Sequence, residues 1–178
     1  EVIAQLDGDR YYRVLTYLTV PVHFFTLIAG AWMVATQNLP WHAVLGLALS
    51  VGVVNGLAIN TGHELGHKNT PLERWLARIV LSVCGYGHFY VEHNRGHHKD
   101  VATPDDPASS RLGENIYAFA LKREIPGAIR RAWRTERDRL ARAGRSPWTL
   151  DNEFLQPLLM TVVLYAVLVA VLGWIVLP

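Results

Sequence analysis

The sequence predicts an all-α fold: a polytopic transmembrane helix bundle with a cytoplasmic histidine-rich metal site. The first observation behind this prediction is the distribution of charge. Only 18% of the 178 residues are charged, against about 25% in an average soluble domain, and three long stretches carry no charge at all. The second observation is that five of the eight histidines stand in two tight groups. The charge-free stretches exclude a soluble enzyme fold and an intrinsically disordered chain.

The charge-free stretches predict three membrane spans. They are residues 14–36, 41–61 and 154–177. Each is longer than the roughly 20 apolar residues that cross the hydrocarbon core of a bilayer. Of the 17 Lys and Arg residues, 15 lie between residues 62 and 150. By the positive-inside rule this bias predicts an integral inner-membrane protein whose histidines face the cytoplasm.

Residues 72–84 are predicted to form an interfacial helix that does not cross the membrane. Arg74, Arg78 and Ser82 recur every fourth residue and so form one polar stripe along a helix. Such a stripe is typical of a helix that lies on the membrane surface. A crossing here would also separate the two histidine groups by about 30 Å of hydrocarbon. The two groups can share one site only if this segment stays on one side.

Residues 92–153 are predicted to form a polar cytoplasmic region. Pro126 can start a helix within it and Gly144 can end that helix. One face of this helix is apolar and arginines surround that face. The apolar residues are Ile129, Trp133 and Leu140. We interpret the segment as a basic amphipathic helix on anionic lipid, with a docking surface for an acidic partner as the alternative.

The five grouped histidines have spacings that suit metal binding. His63 and His67 are four residues apart, so both imidazoles leave the same face of a helix. His93 and His97 repeat this spacing, and His98 adds a donor beside them. Five imidazoles exceed what one tetrahedral zinc ion uses. The pattern therefore predicts a site for two metal ions, or for one ion of higher coordination number.

The first group also permits a different interpretation. In zinc proteases, two histidines with this spacing bind zinc and the glutamate between them acts as general base, as Glu64 would between His63 and His67. An intramembrane zinc metalloprotease is thus an alternative, although it leaves the second group unused. The single cysteine, Cys84, excludes Cys-x-x-Cys zinc sites and iron–sulfur clusters within this chain.

Longer motifs surround both groups. They read HELGHK over residues 63–68 and EHNRGHHKDVATPDDPA over residues 92–108. Both resemble the membrane alkane 1-monooxygenase (alkane hydroxylase) family. The resemblance implies two non-haem iron ions held by histidines from four boxes. The first two boxes are filled by His63, His67, His93, His97 and His98.

The resemblance also implies substrates and partners. It implies hydroxylation of the terminal carbon of a medium-chain alkane with O2 and electrons from rubredoxin, within a lipid bilayer and with no nucleic-acid partner. A related membrane desaturase or xylene-type hydroxylase is an alternative. The two later histidine boxes of the family do not occur in residues 1–178. We therefore expect an interior fragment of a single membrane di-iron oxygenase domain, with the remaining part of the same enzyme elsewhere.

Carboxylates are expected close to the histidines. Neutral imidazole ligands leave the charge of a metal uncompensated, and outer carboxylates commonly orient such ligands. Glu64, Glu92 and Asp100 adjoin the histidines and are the candidates. Asp105 and Asp106 either orient a histidine or serve as ordinary turn residues. We expect no catalytic residue beyond the metal ligands.

Overall fold

The computed structural model of the protein describes residues 10–177, so both ends of the predicted 1–178 domain lie outside the described residues. All regular structure within the described part is helical, which confirms the all-α prediction. The α-helices are α1 (Arg10–Thr36), α2 (Trp41–Gly56), α3 (Ala58–Gly66), α4 (Pro71–Val83), α5 (Phe89–Glu92), α6 (His98–Asp100), α7 (Ile116–Ala118), α8 (Ile125–Arg142) and α9 (Leu155–Leu172). Two π-helices cover His93–His97 and Phe119–Glu124, and a 3-10 helix covers Trp174–Val176.

Three segments of the described chain are long and apolar enough to cross a membrane, as predicted. They are α1, the continuous run of α2 and α3, and α9. The second segment reaches Gly66 rather than residue 61, so the first histidine pair lies at its very end. The third helix ends at Leu172 rather than at 177, because Gly173 adopts a left-handed backbone with φ of 83°. Its 18 residues extend about 27 Å at 1.5 Å per residue.

The helix predicted over 72–84 is present as α4, but of its polar stripe only Arg74 is exposed, whereas Arg78 and Ser82 point into the protein. Arg78 is 5% exposed and Ser82 is 2% exposed. The guanidinium of Arg78 donates to Gln156 at 2.6 Å and to Glu153 at 3.3 Å, so it links α4 to the start of α9. Helix α4 packs against α1, α3 and α9. Placement of α4 at the membrane surface stays a prediction.

A buried carboxylate joins α4 to the first span. Glu73 is 1% exposed and accepts hydrogen bonds from Arg13 at 2.7 Å and from the Tyr17 hydroxyl at 2.8 Å. The Thr70 hydroxyl, which caps α4, donates to the same carboxylate at 2.6 Å. Burial alone would raise the pKa of Glu73, but these hydrogen bonds outweigh burial and lower it. The start of α4 is thus fixed against α1.

Helix α8 covers the predicted amphipathic segment, but its buried face matches the predicted apolar face only in part: Leu140 is buried, whereas Ile129 is not. Its buried residues are Ala128, Ala132, Glu136 and Leu140. Ile129, predicted to be on the apolar face, is 39% exposed. The small side chains of Ala128 and Ala132 allow α8 to pack closely against α5, which leads into the second histidine group. The apolar pattern therefore predicted the buried face only in part, because a buried glutamate lies within it.

Candidate metal centre

Two chain segments bring the five predicted histidines together. His63 lies in the last turn of α3 and His67 follows that helix directly. Their Nε2 atoms are 3.1 Å apart, and the Nε2 atom of His93 is 3.2 Å from that of His67. The Nε2 atom of His98 is 3.0 Å from that of His93. The ring of His97 lies beside this group, 5.5 Å from the ring of His93 and 5.9 Å from that of His98.

His93 and His97 of the second histidine group lie on a π-helix rather than on the predicted α-helix, and His98 begins α6. Residues His93–His97 form this wider turn, in which hydrogen bonds run from i to i+5. As a result, the close partner of His93 is His98, five residues on, and not His97. The ring of His97 is turned so that its Nδ1 atom contacts Asp106 at 2.8 Å. Single-turn π-helices often occur at functional sites in proteins.

The three predicted outer carboxylates have different surroundings. Glu64 is 65% exposed and its carboxylate lies 3.2 Å from Nδ1 of His63. Asp100 forms an ion pair with Arg131. Glu92 is 2% exposed, and its Oε1 atom has no hydrogen-bond partner among the described residues. Burial raises the pKa of Glu92.

Asp106 was predicted either to orient a histidine or to serve as a turn residue. Its side chain contacts His97 directly. Its side chain is fully buried, and its carboxylate accepts hydrogen bonds from the Ser109 hydroxyl at 2.5 Å and the Ala108 amide at 3.1 Å. Burial alone would raise the pKa of Asp106, but these bonds and His97 outweigh burial and lower it. The Asp-Asp-Pro turn was the only sequence signal, and it does not distinguish a histidine partner from a turn residue.

Comparison with known proteins identifies a family and several similar enzymes. The fatty acid desaturase family matches residues 39–178. The chain belongs to this family. Alkane 1-monooxygenases from Pseudomonas putida and Ectopseudomonas oleovorans are each 62% identical to it over 97% of its length. The aligned part is 43% of each relative, so the chain spans less than half the length of these desaturase-family enzymes.

A more distant relative has a different name. The hydroxylase component of the xylene/toluene monooxygenase of Pseudomonas putida is 31% identical over 64% of this chain. The resemblance to alkane 1-monooxygenases that the histidine motifs indicated is confirmed by the higher identity to those enzymes. The desaturase family alone does not distinguish these oxygenases from the other members.

The donor set of this desaturase-family chain fits a metal ion. Each imidazole Nε2 atom carries either a proton or a lone pair. The Nε2 atoms of His67 and His93 each have two imidazole nitrogens within 3.2 Å. One N–H group cannot serve two acceptors well, whereas several lone pairs can converge on one cation. Ligand atoms of His63, His67 and His93 all lie within 4.8 Å of one another.

The protonation states also suit metal binding. Burial, with the neighbouring imidazoles, lowers the pKa of His93 to about 3. Burial is also the main cause that lowers the pKa of His67. Both rings are therefore neutral near pH 7, and a neutral imidazole is the form that binds a metal.

Proposed function

We propose that the protein is the histidine-bearing part of a membrane monooxygenase that hydroxylates the terminal carbon of medium-chain alkanes. The observation that carries the proposal is the convergence of the five histidines, four of which are joined by successive Nε2 contacts of 3.0–3.2 Å while the ring of His97 lies beside them. The reaction consumes an alkane, O2, two electrons and two protons, and it yields a primary alcohol and water. The 62% identity to alkane 1-monooxygenases supports this choice over other desaturase-family reactions.

Two non-haem iron ions are the proposed cofactor. His63, His67, His93 and His98 would bind them through Nε2, where the four atoms converge. His97 would also use Nε2, because its Nδ1 is bonded to Asp106. When bound, iron supplies the activation of O2, and imidazole is a ligand that suits iron. The remaining ligands would come from the part of the enzyme beyond this chain.

Two carboxylates of this chain are proposed to fix the histidines. The Asp106 carboxylate accepts a hydrogen bond from the Nδ1–H group of His97, which leaves the Nε2 lone pair of that ring free for a metal. Glu64 acts in the same way on Nδ1 of His63, at 3.2 Å. Such contacts set the tautomer and the orientation of a ligating histidine.

An apolar cavity between the spans is the proposed place where the alkane enters the protein from the lipid. It has a volume of about 330 Å³ and lies between α1, α2 and α9. Leu27, Val34, Leu47 and Val51 are among its lining residues. Transfer of hydrocarbon into such a space gains about 0.8 kcal/mol for each methylene group. The large aromatic residues Phe25 and Trp32 do not line it, and their side chains are 73% and 57% exposed.

The proposal also includes the electron donor and the side of the membrane on which the metal centre lies. Rubredoxin, a soluble protein, would reach the histidines from the aqueous side. Helix α8 exposes Arg134, Arg137 and Arg142 there, which suits an acidic partner. The bias of Lys and Arg supports a cytoplasmic location of this side, and we propose that the spans lie in the inner membrane.

Product analysis of the full-length enzyme tests this function. With octane, O2, iron and reduced rubredoxin we expect 1-octanol, whereas a desaturase would release an alkene. His97→Ala should abolish the activity, because it removes one proposed ligand. Glu64→Gln should lower activity or iron content without changing the product. Cleavage of peptides by the zinc-loaded protein, abolished by Glu64→Gln but not by His97→Ala, would instead establish the protease alternative.

A further inference from the structure

Arg131 on α8 reaches across to the segment that carries the second histidine group. Its guanidinium is surrounded by acidic side chains. It forms an ion pair with Asp100, and its Nη1 atom lies 3.9 Å from Oε1 of Glu92 and 3.8 Å from Oδ1 of Asp106. One arginine therefore faces three carboxylates that flank the histidines.

The same guanidinium also binds the backbone of this segment. Nη2 donates to the carbonyl of Gly96 at 3.2 Å, and Nη1 donates to the carbonyl of Asp105 at 3.4 Å. Gly96 is buried, and a Cβ atom there would lie 2.9 Å from Nε of Arg131 and 2.9 Å from Oε1 of Glu92. A side chain at position 96 would therefore prevent the close approach of Arg131.

Arg131 supplies positive charge beside two buried carboxylates, of which Glu92 lacks a hydrogen bond at Oε1 within the described part of the chain and Asp106 also has hydrogen bonds from Ser109 and Ala108. Glu92 is 2% exposed and Asp106 is fully buried. A buried carboxylate is costly unless a positive charge or several hydrogen bonds compensate it. Among residues 10–177, Arg131 is the only lysine or arginine within 4 Å of either carboxylate. Asp106 is in turn the partner of His97.

We propose that Arg131 is a positioning residue of the metal centre, acting on His97 through Asp106 and on the π-helix through Gly96. The positive charge of Arg131, 3.8 Å from the Asp106 carboxylate, favours the charged form of this carboxylate, which orients the His97 ring and is itself held by Ser109 and Ala108. Arg131 also ties the turn between His97 and Asp106 to α8. This inference rests on the proposed metal centre, since it assigns a role toward a bound metal.

Metal binding by the full-length protein tests the inference. The apoprotein in detergent is titrated with Co(II), and the affinity and the visible d–d spectrum are recorded. Arg131→Gln should weaken Co(II) binding about 10-fold, as loss of an outer-sphere partner does, and should change the spectrum. Arg130→Gln is the matched control, because Arg130 is exposed on the same helix and should bind Co(II) like the wild type.

A double variant tests the route through Asp106. Asp106→Asn should weaken Co(II) binding to a similar extent, and the combined variant should be no more than about 2-fold weaker than either single variant. Fully additive losses would contradict action through Asp106. If Arg131→Gln does not fold, Arg131→Lys replaces it, since lysine keeps the charge but cannot bind both backbone and carboxylate as a fork. Arg131→Lys should then show an intermediate affinity, and wild-type affinity with an unchanged spectrum would overturn the proposal.

The two proposals fail in different ways. A wild-type protein that binds no Co(II) and no iron would refute the metal centre itself. A wild-type protein that binds Co(II), together with an Arg131→Gln variant of equal affinity and spectrum, would refute only the role of Arg131. If Arg130→Gln weakened Co(II) binding as much as Arg131→Gln does, the role of Arg131 would likewise be refuted, because the loss would be a general effect of removing positive charge.

Discussion

At the scale of single residues, the site pairs carboxylates with selected ring nitrogens. Asp106 is bonded to Nδ1 of His97, and Glu64 lies beside Nδ1 of His63. Glu64 was predictable because it adjoins His63 in the chain. Asp106 follows His97 by nine residues, and only the fold of the intervening turn brings the two together. Sequence spacing predicts contacts along one helix, but it does not predict contacts that a turn creates.

Glu136 carries a prediction about stability. Its fully buried carboxylate accepts two hydrogen bonds from Arg139 at 2.8 Å and one from the Glu153 amide at 2.7 Å, and it pairs with Arg95. Glu136→Gln removes the charge that these donors need. We expect a loss of about 1–3 kcal/mol in the free energy of unfolding, the usual effect of removing one buried partner of charged hydrogen bonds. Denaturant titration of the full-length protein in detergent measures it.

The loss of stability expected in Glu136→Gln should depend on pH in a defined direction. Burial alone would raise the pKa of Glu136, but the bonds from Arg139 and the Glu153 amide outweigh burial and lower it. Its contribution to stability is therefore complete above the unfolded pKa of about 4.3 and is lost as the pH falls through the folded pKa. The difference between wild type and Glu136→Gln should shrink in acid. Asp138→Asn, at a residue whose side chain is 53% exposed, should change stability little at any pH.

At the scale of helices, the sequence patterns predicted where the helices lie in the chain better than they predicted which helix faces are in contact. The charge-free stretches located α1, α2 and α9, and the Arg74, Arg78 and Ser82 stripe located α4. The stripe did not show which side of α4 is buried, because Arg78 is buried against a half-buried polar partner, Gln156, on the neighbouring helix α9. The spacing of His93 and His97 likewise did not predict a π-helix. Local spacing specifies a helix, whereas the partner on the neighbouring helix decides its orientation.

The contact between α3 and α4 supports a prediction about a glycine. A Cβ atom at Gly62 would lie 2.6 Å from Cγ of the fully buried Leu81. Gly62→Ala should therefore push α3 away from α4 and displace His63, the next residue. We expect a loss of about 1–3 kcal/mol in stability, which is typical of overpacking, together with reduced iron content. Both are measured on the purified full-length protein.

A second glycine is the control for this prediction. Gly46 lies on α2, and a Cβ atom there would have no neighbour within 4 Å. Gly46→Ala should keep the iron content and leave stability equal or slightly higher, since alanine favours a helix. Equal iron content in Gly62→Ala and Gly46→Ala would show that the α3–α4 contact does not position His63.

At the scale of the whole molecule, both histidine groups lie at the same end of the bundle. The rings of His67 and His98 are 4.8 Å apart. The residues that follow them, Lys68 and Lys99, therefore lie on one side of any membrane that α1, α2 and α9 cross. The link between α1 and α2, which contains Asn38, lies at the opposite end of those helices. The fold thus predicts a topology that labelling can measure.

Single-cysteine labelling measures this topology directly. Cys84→Ser removes the single cysteine of residues 1–178, and with any further cysteine of the full-length protein also replaced by serine it serves as the unlabelled background. In that background, Lys68→Cys and Lys99→Cys should react with an impermeant maleimide only in inside-out vesicles, because the positive-inside rule places their end of the bundle in the cytoplasm. Asn38→Cys should react only in right-side-out vesicles. Labelling of positions 68 and 99 from opposite sides would mean that α4 crosses the membrane, and a metal centre built from both histidine groups would then be impossible.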